Sequence, residues 1–389
     1  MIPRYPDFSK EEFQGRWSRA QELMKREGID GLLVTERLNY MYFTGHNSVQ
    51  NRIDKIRPYV FILPQEGEGV LITMPFEVEQ VYDTSWVQEI KEAGLINHAD
   101  LIAETLREKG LDGKVIGCEL GREQYLGLNY LTFNEIMDQM SDSKFVDASK
   151  VFLELRSIKS PKEIEYIKTA ASIAAQAEME TFAEVKLGMS EIEISNILRR
   201  KIAEKGGENV TFLLVAIGEG PTGGSVLVPT PQVVKEGVTL CLDVGVEYRG
   251  LSCDICRTAF VGAPPEEAAD FYRWMMKLRY ECDDMLVAGN TPAMIIDHVN
   301  AEVKARGLKL LGVGRVGHGV GYETTEYPSL AAVEDIVFKP GMTFACNPNF
   351  VEKPYGMFNC EDNWAISESG KPELLSVPRA PKEITVINV

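Results

Sequence analysis

No apolar run in this sequence approaches the roughly eighteen residues of a membrane span, and the opening MIPRYPDFSKEEF lacks the apolar core of a secretory signal. Cysteine is sparse and unpatterned: seven residues, an odd number with no zinc-finger spacing, fit a reducing compartment better than a disulfide framework. The cytoplasm is the expected location. Positive charge is in deficit, with 41 Lys and Arg against 58 Asp and Glu and a formal net charge of -17. Such a surface repels nucleic-acid backbones and anionic membranes, so neither is expected as a main partner. Low-complexity segments and short-period repeats are also missing. What remains is an ordinary globular composition, 44% hydrophobic and 25% charged over 389 residues, enough for two domains or one large domain with an appendage.

Periodicity sets the organisation. Phe13, Trp17, Ala20, Leu23 and Met24 recur at helical spacing over residues 10 to 28, and Gly28 stops that helix before the strand-like GLLVT. Strand-like YVFIL (59 to 63) and GVLITM (69 to 74) follow, then an amphipathic helix near 99 to 109 and the strand KVIGCEL, which makes residues 1 to 155 an α/β domain. A second domain, 156 to 389, begins where Ser160 caps a helix, Pro161 occupies its first turn and Glu163 completes a capping box. A further helix near 190 to 205, strand pairs, and a helical region at 265 to 305 give this half an α+β character.

Histidine is the scarcest of the chemistry-bearing residues, with four in the chain, and one of them belongs to an ordered set: Asp243 in LCLDVG, Asp254 in SCDICRT, His318 in GHGVG and Glu361 in NCED. Three carboxylates and an imidazole are a sensible donor set for a divalent transition metal, Mn, Fe, Co or Zn, as one or two ions. A tight turn centred between Tyr248 and Arg249 is expected to set Asp243 opposite Asp254, where like charges repel unless a cation lies between them. A second hairpin around Lys353 to Gly356 is expected to bring Asn347 near Glu361.

DVGVEYRGLSCDICRT resembles the D-x-G and S-D-x-x-R-T hairpin of the pita-bread metallohydrolases, the family of prolidase, aminopeptidase P, methionine aminopeptidase and creatinase. GHGVGYETTEYP is similar to the family's G-H-G-I-G-x-x-x-H-E-x-P, KPGMTFACNP to its E-P-G-M-x-F-x-x-E-P, and LRSIKSPKEIEYIK to the opening of its catalytic domain. The resemblance implies a creatinase-type N-terminal domain before a pita-bread catalytic domain, with metal ligation by Asp243, Asp254, His318 and Glu361 and with Asn347 as a further candidate at the remaining ligand position. Three departures stand out. Asn347 occupies the place of a ligand glutamate that also accepts a proton, which an amide cannot do. Thr325 replaces a histidine beside the retained Glu326 and Pro328, and GEGPTGGSVLVPTP offers no histidine where the peptidases have one.

The sequence therefore points to a metal-dependent hydrolase acting on a C–N bond of a small carboxylate-bearing substrate, with Glu326 or Glu361 managing the proton. Alternatives are an Xaa-Pro dipeptidase or aminopeptidase, a metal-dependent lyase acting on a small zwitterion such as dimethylsulfoniopropionate, and a non-catalytic binding member of the fold. Arg57, in IRPYVFIL, resembles an arginine that creatinase-type enzymes direct across a dimer interface to the substrate carboxylate, and His46, Arg52 and Thr325 join it as candidate substrate contacts. A homodimer is expected. Among the cysteines, Cys253, Cys346 and Cys360 are expected to pack away from the site, whereas Cys256, two residues from Asp254, shares its face.

Overall fold

The computed structural model describes residues 2–53, 57–218, 228–310 and 314–389. Two units divide it, Met1–Arg156 and Ser157–Val389. In the first, helix Lys10–Glu27 is capped by Ser9, whose side chain accepts the Glu12 amide, and ends at Gly28 in the left-handed region at φ 70°. Its buried face carries Phe13, Ala20 and Met24. The strands are β1 (Gly31–Val34), β2 (Val60–Pro64), β3 (Val70–Thr73), β4 (Glu89–Glu92), β5 (Val115–Cys118) and β6 (Lys144–Asp147), ordered β4-β3-β2-β1-β5-β6. Pairing is mixed: β1 runs antiparallel to β2 and parallel to β5. The apolar residues of β1 to β3 are fully buried, which explains why they read as continuous runs rather than alternating ones.

The second unit opens with the expected capping box: the Ser160 side chain accepts the Glu163 amide, the Glu163 side chain accepts the Ser160 amide, and Pro161 begins helix Pro161–Glu184. One stripe of that helix is almost all alanine. Ala170, Ala171, Ala174 and Ala177 have no side chain long enough to hold a sheet at distance, so the helix settles onto Leu240, Leu242, Val244 and Val246. Those residues lie on one face of β8 (Thr239–Tyr248), which pairs with β7 (Asn209–Ile217), with the short β9 (Leu251–Ser252) and with β10 (Ile255–Val261). The opposite face of β8 carries Cys241 and Asp243.

A second sheet is ordered β12-β11-β13-β16-β17, from β11 (Arg315–Gly319), β12 (Glu326–Ala331), β13 (Thr343–Cys346), β16 (Asn363–Ile366) and β17 (Pro372–Leu374). Between β13 and β16 stands the hairpin β14 (Phe350–Glu352) and β15 (Gly356–Phe358), and β18 (Thr385–Ile387) closes the edge of the first sheet beside β10. Helices Glu266–Asp284 and Pro292–Ala305 cover the second sheet through Phe271, Met275, Ile295 and Val299. Among the described residues, no helix is long and apolar enough to cross a membrane.

Charge is buried behind the two sheets. Arg257, Arg279, Asp283 and Asp362 are each at most 1% exposed. Arg257 donates to Asp362 Oδ1 at 2.6 Å, and Arg279 to Asp362 Oδ2 at 2.8 Å. Burial alone would raise the Asp362 carboxyl, but Arg257 and Arg279 hold it below its ordinary value. The Arg257 guanidinium also donates to the carbonyls of Cys256 and Glu361, tying this network to the strands that carry the acidic cluster described next. Removing one partner of a buried ion pair strands the other, so Asp362→Ala should cost about 3–5 kcal/mol in denaturant unfolding. Because the folded-state value is depressed, this contribution is present at neutral pH and fades only below the ordinary carboxylate range. A loss under about 1 kcal/mol would mean the network is not a structural support.

Candidate metal centre

Asp243 lies on β8 and Asp254 just before β10, joined by a hairpin whose register differs from the sequence-based expectation. The pairs are Tyr248 with Leu251, Glu247 with Ser252, and Asp243 with Cys256. Arg249 and Gly250 form the turn, both in the left-handed region at φ 52° and 77°, as a tight hairpin with the strands' own twist requires. Asp254 therefore sits two positions from the place facing Asp243. A shift of two preserves the face, because strand side chains alternate with period two, so both carboxylates still point to the same side. Gly245, in the same DVG step, is required by packing: a Cβ there would lie 2.1 Å from Thr211 Oγ1 and 2.7 Å from Thr324 Oγ1.

Glu361 arrives from the second hairpin, bridging to Cys256. Side-chain oxygens of Asp243, Asp254 and Glu361 lie within 4.8 Å of one another, the one such cluster among the described residues. His318, on β11, places Nε2 3.3 Å from Asp254 Oδ2, while its Nδ1 is 3.0 Å from the Gly319 carbonyl. A carbonyl only accepts, so Nδ1 carries the proton and the Nε2 lone pair faces the carboxylates, the tautomer a metal-binding histidine adopts. Burial lowers the His318 pKa and keeps the ring neutral. Asp254 is held at its backbone by Asn363, whose side chain accepts the Asp254 amide at 3.0 Å and donates to its carbonyl at 2.7 Å.

The electrostatics ask for a cation. Burial, then Glu361 and then Asp254, push the Asp243 carboxyl well above its ordinary value, and burial with Glu361 does the same to Asp254. Asp243 Oδ1, Asp254 Oδ1 and Glu361 Oε2 are buried without a hydrogen-bond partner. Orphaned carboxylate oxygens buried together are costly unless a positive ion meets them, and oxygen and imidazole donors suit a divalent transition metal. The residues present fit such an ion.

Asn347 does reach Glu361, donating from Nδ2 to Oε1. Asn359, which the sequence gave no reason to single out, donates to the same oxygen at 3.3 Å. Thr325 is exposed, with its hydroxyl 3.5 Å from His318 Nε2. Glu326 is buried and accepts from Lys159 Nζ at 2.5 Å, a pairing with no local sequence signal because the partners are 167 residues apart. Cys256 shares the face of Asp243 but turns its sulfur to Cys241 Sγ at 3.3 Å; Cys253, Cys346 and Cys360 are buried. In the first unit His46 is 1% exposed and faces Glu77 at 3.4 Å and Thr84 at 3.3 Å. Arg52 donates to Asn47 at 2.9 Å, and the Arg57 guanidinium stands over the Phe76 ring at 5.9 Å. Most of the GEGPTGGSVLVPTP segment, residues 219–227, lies outside the described residues.

A three-carboxylate and histidine centre held between two sheets defines a divalent-metal site, of the kind a metallohydrolase carries. Residues 165–368 match the profile of metallopeptidase family M24, and residues 16–158 match the creatinase/prolidase N-terminal domain. The chain belongs to family M24. It is 26% identical over 381 residues to an uncharacterised peptidase of Bacillus subtilis (strain 168), covering 95% of this chain and 99% of that protein. It is 24% identical over 372 residues to an Xaa-Pro dipeptidase of Pyrococcus furiosus, covering 94% and 98%. Among solved structures, an Xaa-Pro dipeptidase from Bacillus anthracis superposes with a TM-score of 0.84 at 26% identity, covering 96% of this chain and 99% of that one.

Protons and metal compete for these carboxylates. Since the folded-state values of Asp243 and Asp254 are raised, the metal-free protein loses stability from them as pH rises above the ordinary carboxylate range and regains it as pH falls. Added Mn2+ should therefore raise the melting temperature most near pH 8 and progressively less toward about pH 5. Thermal scans with Mn2+ and with chelator check this; an equal metal-induced shift at both ends would contradict it. His318→Ala should sharply reduce the metal retained after dialysis, and unchanged content by elemental analysis would remove His318 from the donor set.

Proposed function

We propose that this chain hydrolyses an amide-type C–N bond in a small carboxylate-bearing substrate other than an ordinary Xaa-Pro dipeptide. The observation that carries this reading is a preserved set of Asp243, Asp254, His318 and Glu361 beside an amide, Asn347, that cannot take up a proton. Those four side chains would hold the ion, which supplies Lewis acidity when bound. Asp243, Asp254 and Glu361 anchor it, and the neutral His318 ring, fixed through Gly319, adds a donor without adding charge. One carboxylate fewer than four leaves more of the ion's charge to act on the substrate. Proton movement is the step most altered. Glu361 Oε1 is held by amide donors and Glu326 by Lys159, so protonation of Glu326 would break a buried ion pair.

The second reading, Xaa-Pro dipeptide hydrolysis, is favoured by the names of the relatives in Pyrococcus furiosus and Bacillus anthracis. A screen of the Mn2+- or Co2+-loaded protein against Xaa-Pro dipeptides, cyclic amides, guanidino acids and sulfonium zwitterions separates these. The expected result is turnover of a non-prolyl C–N substrate with weak or absent Xaa-Pro cleavage. Robust Xaa-Pro cleavage would establish the second reading, and elimination from a sulfonium compound alone would make the chain a lyase.

The proposal includes a homodimer in a reducing, cytoplasmic setting, where the seven buried free cysteines would persist as thiols. It also assigns Arg57 to the substrate carboxylate, for which an arginine fork is suited. Arg57→Ala should raise KM with little change in kcat or metal content, the pattern of lost uniform binding. An unchanged KM, or a monomer by light scattering, would remove these parts.

A further inference from the structure

We propose that Asn347 and Asn359 make this a single-ion centre by fixing Glu361 as a ligand through one oxygen only. The inference rests on the metal-binding reading above and concerns how many ions the centre holds.

The two oxygens of the Glu361 carboxylate have different surroundings. Oε1 receives the side-chain amides of both Asn347 and Asn359. Oε2 is buried with no hydrogen-bond partner. A carboxylate oxygen has two lone pairs, so two N–H donors use the accepting capacity of Oε1 and leave the unpartnered Oε2 as the oxygen open to an ion. The common bridging mode, in which each oxygen of a carboxylate takes one cation, is thereby closed to Glu361. The amide orientations follow from the chemistry: turning either side chain over would set its carbonyl oxygen against Oε1, acceptor against acceptor.

Asn359 is itself fixed. Its backbone amide donates to Thr258 Oγ1 at 3.1 Å, and its carbonyl accepts from the same hydroxyl at 2.6 Å. Asn347 is set by its place after β13, where its amide donates to the Val316 carbonyl at 2.9 Å. With its NH2 directed at Glu361, Asn347 acts as a positioning residue for that ligand, not as a donor to the ion.

Charge gives an independent argument. Three carboxylates converge with a neutral imidazole. One divalent ion leaves this set of ligands with one net negative charge, whereas a second would carry it to a net positive charge without a further anionic side chain.

The test is equilibrium dialysis of the full chain against Mn2+, with elemental analysis and electron paramagnetic resonance of the bound ion. The expected result is one Mn2+ per chain with an uncoupled six-line spectrum. Asn347→Asp, which keeps the side-chain shape and exchanges the donor for a carboxylate, should bind two, with an exchange-coupled spectrum. Two coupled ions per unmodified chain would overturn the proposal, and that measurement needs no variant to fold. A folded Asn347→Asp protein that still takes up one ion would overturn the role given to Asn347. No ion in the unmodified chain would instead defeat the metal-binding reading on which the proposal stands, a result distinct from a count of two.

Discussion

Mutual repulsion among Asp243, Asp254 and Glu361 is the constraint around which the second unit is organised. Three carboxylates held within 4.8 Å at a buried position do not assemble for stability. Each must be held by something stronger than its neighbours' repulsion. Asp243 stands mid-strand with partners on both sides, Asp254 is clamped at its backbone by Asn363, and Glu361 is fixed by two side-chain amides on one side and by Arg257 at its carbonyl on the other. The adjacent Asp362 turns the opposite way, into Arg257 and Arg279. Alternation along one strand thus separates an acidic centre that wants a cation from an acidic residue that already has two.

Much of this was legible in the sequence because it follows from local rules. Ser160, Pro161 and Glu163 announce the helix that covers the sheet, and Gly28 announces the end of the first helix. The Asn347–Glu361 contact follows from hairpin symmetry about Lys353 to Gly356, since the ladder beyond it keeps the same register in Ala345 with Asn363. The Asp243–Asp254 hairpin shows the limit of that rule. Turn residues choose the register, and the positive φ of both Arg249 and Gly250 moves it by two positions, a displacement that keeps the face and changes the partner.

What escaped the sequence was set by contacts between distant segments. Lys159 and Glu326 are unremarkable in their own surroundings, and only the fold makes them a buried pair. Asn359 sits in MFNCEDN with nothing to separate it from a turn asparagine, although it contacts the same oxygen as Asn347. The burial of Arg257 and Arg279 is likewise invisible locally, because an isolated arginine reads as surface. On the proposed reading, the set Asp243, Asp254, Glu361 and His318 that can hold a cation stands beside an amide, Asn347, that cannot take up a proton.

The most direct test of this account is anomalous diffraction from crystals of the protein grown with Mn2+. The account predicts a peak bounded by Asp243, Asp254 and Glu361, with the Nε2 of His318 turned toward it and the Asn347 amide still directed at Glu361. A Mn2+-containing crystal with no peak among those residues, or with its peak elsewhere in the chain, would contradict it.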